Sequence, residues 1–203
     1  MKQVIAFLAA VTLAALAFFS LKGRHPDRIA THLEPIADVP EFQLIDQTGK
    51  PFGLDDLRGK IWVASFLFTR CQGPCPVISS RMAELNQSIA RAGEGVRLVS
   101  FSVDPEFDQP EVLADYSAKL GADPARWKFL TGSREDVEDV VVKGLLQPLA
   151  KEADGSPAHS TRIVLVDGAG RLRGYQDGRD SESVQKLLMD IGDLLRENSR
   201  STK

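Results

Sequence analysis

A central mixed sheet flanked by helices, an α/β architecture, is what this 203-residue sequence predicts. Three observations carry the prediction. Ile61 to Phe68 (IWVASFLF) is an unbroken apolar run of strand length, as expected of a central strand covered on both faces. Ile78, Met82, Leu85 and Ile89 then recur at helical spacing ahead of a second strand-like run, Val96 to Val103. Nearer the C-terminus, two strand-like segments around Gly168-Ala169-Gly170 precede a strongly amphipathic stretch.

Taken in order, the chain divides into 1–22, 23–39, 40–197 and 198–203. Gln3 to Leu21 carries no charge. As a helix of about 19 residues it would be roughly 28 Å long, close to the hydrocarbon thickness of a bilayer. We read 1–22 as a transmembrane anchor. A cleaved signal peptide is the competing reading, because Ala15-Leu16-Ala17 resembles a cleavage site. Either segment exports the remainder of the chain. Residues 23–39 mix charges with prolines and read as a tether, whose His25 and His32 are expected to be solvated.

The domain, 40–197, opens with a hairpin: Phe42 to Ile45 and Lys50 to Phe52 flank the turn Asp46-Gln47-Thr48-Gly49. Leu54 to Lys60 reads as a short helical turn or loop. After strand 61–68 comes the cysteine loop, then a helix with Pro76 at its first position and Gly93 and Gly95 at its end. Pro110 opens a further helix, with Leu113, Tyr116 and Leu120 inward and Gly121 as its stop. Phe129-Leu130 makes at most a short strand. Ser133 to Asp136 resembles a capping box for a helix carrying Val137, Val140, Val141 and Leu145. Arg162 to Asp167 pairs with Leu172 to Gln176. Val184, Leu187, Leu188, Ile191, Leu194 and Leu195 mark the closing helix, and 198–203 is a tail. A βαβ unit followed by an antiparallel hairpin and a final helix is the thioredoxin-like pattern, in which the first helix starts where the central strand ends.

The two cysteines of the chain lie at that point, in FLFTRCQGPCP (66–76). Cys71 and Cys75 are spaced i, i+4, so on a turn entering a helix they share a face, with β-carbons about 6 Å apart. The helix N-terminus favours thiolate over thiol. Two thiolates suit Cu(I), whereas Zn(II) wants four ligands, or three and a water. His159, before strand 162–167, is the histidine of the folded domain and a candidate third ligand, although a lone loop histidine is more often solvated. A dithiol redox enzyme, a metal site and a structural disulfide therefore remain open. Export sharpens the question, since neighbouring thiols in an oxidising compartment tend toward a disulfide. That disulfide would close a very small loop and constrain the unfolded chain little. Thr69-x-Cys71 resembles peroxide-reducing enzymes only loosely. The net charge of −3, with no basic run after the N-terminal segment, argues against a nucleic-acid partner.

Over roughly Pro40 to Leu195 the chain resembles the Sco/SenC proteins, membrane-anchored thioredoxin-like copper chaperones of cytochrome c oxidase assembly. The resemblance rests on FLFTRCQGPCP, on VSFSVDPEFDQPEVLADYSAKLGADPARWKFLTG (99–132), on AHSTRIVLVDGAGRLRGYQDG (158–178) and on the closing helix. It implies copper, as Cu(I) and also Cu(II), held by Cys71, Cys75 and His159. It implies delivery to the binuclear copper site of oxidase subunit II, on the periplasmic side of the cytoplasmic membrane. A periplasmic copper donor or thiol reductant would be a further partner. Some relatives look more like thiol–disulfide oxidoreductases that prepare the receiving cysteines, and there Cys71 and Cys75 would be catalytic. Asp104, in the matched Asp-Pro turn, would support the site from outside or face the partner. One departure stands out: the family usually has Pro directly after the first cysteine, where this chain has Gln72. Transfer by ligand exchange would displace His159 first, then one thiolate.

Overall fold

The computed structural model describes residues 33–90, 95–151 and 157–201. The expected anchor, His25 and His32 lie outside them. Among the described residues no helix is long and apolar enough to cross a membrane.

Ten strands and four α-helices are described. In chain order they are β1 (Ala37–Asp38), β2 (Gln43–Asp46), β3 (Pro51–Gly53), β4 (Ile61–Leu67), α1 (Cys75–Ile89), β5 (Val96–Ser102), α2 (Pro110–Lys119) and β6 (Trp127–Thr131). Next come α3 (Arg134–Glu138), β7 (Leu149–Lys151), β8 (Pro157–His159), β9 (Arg162–Val166), β10 (Arg171–Asp177) and α4 (Ser183–Ser201). Eight strands form one sheet in the order β1-β10-β9-β4-β5-β6-β2-β3, and β7 and β8 form a separate pair. β4, β5 and β6 are parallel, with Ile61 opposite Val96 and Leu98 opposite Trp127, and the remaining pairings are antiparallel.

The central position of β4 explains its composition. Ile61, Val63 and Leu67 pack on one face, against Ile78, Met82 and Leu85 of α1 and Leu187 and Ile191 of α4. Trp62, Ala64 and Phe66 pack on the other, against Val137, Val140 and Val141. A strand buried on both faces has no polar side to show, and each large side chain so buried contributes about 1.5–3 kcal/mol. The expected 3.6-residue stripes of α1 and α4 are thus the inner faces of one layer. At the end of α2, Gly121 takes a left-handed conformation (φ 65°), which an L side chain would resist. Ser133 caps α3, accepting a hydrogen bond from the Asp136 amide.

Four features differ from the sequence expectation. The described part of the domain includes residues of the segment read as a tether: Leu33 is buried in the core and β1 pairs with β10. The tie is Arg173, whose Nε donates to the Leu33 carbonyl while its guanidinium bridges Asp167 (2.8 Å) and Glu197 (2.7 Å). Helix α4 continues to Ser201, into the expected tail. β6 runs five residues, held by stacking of Trp127 on Phe129. Finally, α3 passes into a π-helical turn (Asp139–Gly144). The chain then reverses through Leu146 (φ 56°), where the buried Gln147 side chain donates to the Leu145 and Leu146 carbonyls, and enters β7. Strand β8, the partner of β7, ends at His159, whose ring lies against Phe68 just past the end of β4.

Candidate metal centre

Strand β4 delivers the chain to Phe68, and a tight turn comes next, closed by the Cys71 amide on the Phe68 carbonyl (3.1 Å). Pro74 caps α1, so Cys75 is its first residue and Pro76 its second, one position later than expected. Cys75 is buried and Cys71 half-buried, and both are free thiols. His159 is not in a free loop. It ends β8, paired with Leu149 of β7, which brings its ring back over α1.

The three ligand atoms, the Cys71 and Cys75 sulfurs and a ring nitrogen of His159, lie within 4.8 Å of one another. Sulfur and imidazole donors sit about 2.0–2.3 Å from a first-row ion, so two donors on one ion stand at most about 4.6 Å apart. The cluster is within a few tenths of an ångström of that limit, and its donor set fits a soft ion.

The imidazole is fixed from two sides. Its Nδ1 lies 2.8 Å from the Ser160 carbonyl, which can only accept, so Nδ1 carries the hydrogen. Nε2 then turns its lone pair toward the Cys75 sulfur, 3.0 Å away. The Phe68 and His159 rings meet nearly perpendicular, with centroids 5.9 Å apart. Burial holds the imidazole below its ordinary pKa and so favours the neutral ring, an effect partly offset by the Ser160 carbonyl. A neutral ring with its far N–H given to a carbonyl is the form a metal needs.

At Cys75 the expected preference for thiolate is reversed. Burial pushes its thiol up to about 12, and the neighbouring Cys71 adds to the shift. Loss of water outweighs the partial charge of a helix N-terminus. Filling the site would therefore release a proton from Cys75. Access is from the Cys71 side, where a side chain at Gly73 would begin 3.8 Å from the sulfur and the native residue leaves it open.

Asp104 does not reach the cluster. Its carboxylate accepts from Arg70 (2.6 Å), whose guanidinium also lies 4.0 Å from the centre of the Phe107 ring. Arg70, Asp104, Phe68 and Ala158 share the wall of a cavity of about 700 Å³ that neither cysteine nor His159 lines. The residue missed by sequence reasoning is Asp108. It is fully buried and accepts from the amide and hydroxyl of Thr69, two residues before Cys71. Its one sequence signal is its spacing, four residues after Asp104 in a run that otherwise reads as an ordinary turn.

A family model described as SCO1/SenC matches residues 31–196. Among solved structures, the chain is similar to a SCO1/SenC family lipoprotein from Bacillus anthracis str. Ames, at 35% identity and a TM-score of 0.75, over 80% of this chain and 98% of that one. It is similar to BsSco, described as a member of the Sco family of cytochrome c oxidase assembly proteins with a disulfide switch. There the identity is 29% and the TM-score 0.71, over 79% of this chain and 95% of that one. It is also similar to copper-bound ScoI of Arabidopsis thaliana, at 25% identity and a TM-score of 0.68, over 79% and 99% of the two chains.

Proposed function

The chain belongs to the SCO1/SenC family, and from that premise we propose that it is a copper metallochaperone that holds copper on Cys71, Cys75 and His159. The copper would pass to the binuclear site of cytochrome c oxidase subunit II. The observation that carries this reading is the convergence of two sulfurs and a neutral, pre-oriented imidazole within 4.8 Å. Supporting it are the copper held by the Arabidopsis relative and the oxidase assembly role given for BsSco. The half-buried Cys71 is the ligand an acceptor would meet, and the buried Cys75 the one that retains the ion longest. We further place the domain outside the cytoplasmic membrane, tethered by the apolar segment 3–21. The lipoprotein relative supports attachment to a membrane in kind.

Titration of the reduced full-length protein with Cu(I) against a chelating competitor tests the reading. One copper per chain is expected for wild type, and none at the same competitor concentration for Cys71→Ser. A wild type that takes up no stoichiometric copper sinks it.

One observation favours a second reading, a thiol–disulfide oxidoreductase acting on the oxidase's receiving cysteines. Cys71 is accessible and Cys75 lies behind it, the arrangement of an attacking and a resolving thiol. The disulfide switch described for BsSco points the same way. The two roles share their sulfurs, so copper occupancy would block the redox one.

A further inference from the structure

Asp108 is a costly residue to bury where it is. It is 0% exposed, and both its oxygens are occupied by neutral donors. Oδ2 accepts from the Thr69 amide at 3.0 Å and from the Ser102 hydroxyl at 2.6 Å, and Oδ1 accepts from the Thr69 hydroxyl at 2.5 Å. Ser102 in turn accepts from the Asp104 amide at 3.1 Å. Burial pushes the Asp108 carboxyl upward, and the Ser102 and Thr69 hydroxyls pull it back. A neutral side chain could close an ordinary turn without the desolvation penalty of a carboxylate. What a carboxylate adds is acceptance on every lone pair, so that two hydroxyls and an amide are held in one arrangement.

That arrangement bears on all three candidate ligands. Thr69 lies inside the turn that the Cys71 amide closes on the Phe68 carbonyl, so fixing Thr69 fixes where Cys71 leaves the sheet. The Phe68 ring, one residue earlier, meets the His159 imidazole edge-on. Cys75 comes four residues after Cys71 and shares the loop. The same loop has a second tie, Arg70 to Asp104; Asp104 is buried but Arg70 is 56% exposed, so this tie is the more screened by solvent of the two.

We propose that Asp108 is a positioning residue for the Cys71–Cys75–His159 centre: through Thr69 it sets the height and direction of the cysteine loop so that the three donors meet without rearrangement. The proposal rests on the copper reading above, and its test is arranged so that the two fail separately.

The test compares wild type with Asp108→Asn, which keeps the volume but replaces one acceptor oxygen by a donor, and with Thr69→Val, which removes only the hydroxyl. Cu(I) affinity is measured by competition, the Cu(II)–thiolate absorption is recorded, and urea unfolding is followed on the same samples. Asp108→Asn is expected to weaken Cu(I) binding about 10–100-fold and to shift the absorption bands, with Thr69→Val showing a smaller change in the same direction. Adding Thr69→Val to Asp108→Asn should cost less than the sum of the two single effects, because both disturb the Thr69–Asp108 contact. Lowered stability with wild-type affinity and an unchanged spectrum in the folded protein would overturn the proposal. Where Asp108→Asn fails to fold, Thr69→Val decides alone: unaltered affinity overturns it. Should wild type take up no copper, the copper reading fails, and the reduction midpoint of the Cys71–Cys75 pair becomes the readout. A shifted midpoint in Asp108→Asn then supports positioning, and an unchanged one refutes it.

Discussion

At one end of strand β9, Asp167 and Arg173 are buried as ions; at the other, the buried Cys75 and the half-buried His159 sit as neutral groups. Asp167 has no capacity to spare. One oxygen accepts the Ala169 and Arg171 amides and the other accepts the Arg171 and Arg173 guanidiniums. Burial opposes its ionisation, yet those hydrogen bonds hold the carboxyl below its ordinary range. Around Cys75 and His159 the same loss of water meets too few partners, and burial prevails at both: the thiol moves up and the imidazole down. Loss of water at both ends thus goes with opposite charge states, and the count of partners decides which. A complete set makes a clamp for the fold. An incomplete set, with lone pairs turned to one point, makes a site.

The largest expected effects are two substitutions that should separate the ends. Cys75→Ser is expected to weaken Cu(I) binding by more than about 100-fold, beyond what loss of an outer partner does. It should leave urea unfolding within about 1–2 kcal/mol of wild type, because a serine hydroxyl can still meet His159. Arg173→Met is expected to do the reverse. It strips a buried partner from Asp167 and the donor from the Leu33 carbonyl, and should cost about 3 kcal/mol, at the low end for a broken buried pair because Arg171 remains. Copper stoichiometry of the folded protein should not change. If Cys75→Ser unfolds the domain, or Arg173→Met empties the site, the two clusters are one unit and the contrast fails.

The same contrast explains what could be read in the sequence. The two-faced strand β4 and the stripes of α1 and α4 were legible because burial on a regular element leaves a period in the residues. Cys71, Cys75 and His159 were legible as soft donors near one fold position. The strands β1, β7 and β8, of two or three residues each, are too short to carry a period. So the segment around Leu33 read as a tether and His159 as part of a loop. Asp108 and Arg173 stayed hidden for another reason. Their partners lie up to 140 residues away in the chain, and nothing local marks a charge that tertiary contacts will bury.

His159→Ala comes next in size and sharpens the description of the site as an incomplete set. Two thiolates suffice for Cu(I), whereas Cu(II) draws more on the imidazole. The variant is therefore expected to keep Cu(I) nearly at wild-type affinity and to weaken Cu(II) about 10–100-fold. Competition titrations in each oxidation state check this. Equal loss of both would mean that the imidazole holds the sulfurs in place rather than completing the Cu(II) shell.

The smallest effect is expected at Gln72, the residue directly after Cys71. Its side chain is exposed, between a half-buried sulfur and the open Gly73. Proline there would fix one backbone angle and bias Cys71 toward an extended conformation. If Asp108 already sets the loop through Thr69, that bias adds little. Gln72→Pro should then leave Cu(I) affinity within about threefold of wild type, as for other surface changes. In Asp108→Asn, where the loop has lost its clamp, the same proline should recover part of the affinity by limiting the conformations the loop must give up. A gain of tenfold or more from Gln72→Pro in the otherwise native chain would show that the loop is not preset, and would move the control of Cys71 from the buried carboxylate to the residue beside it.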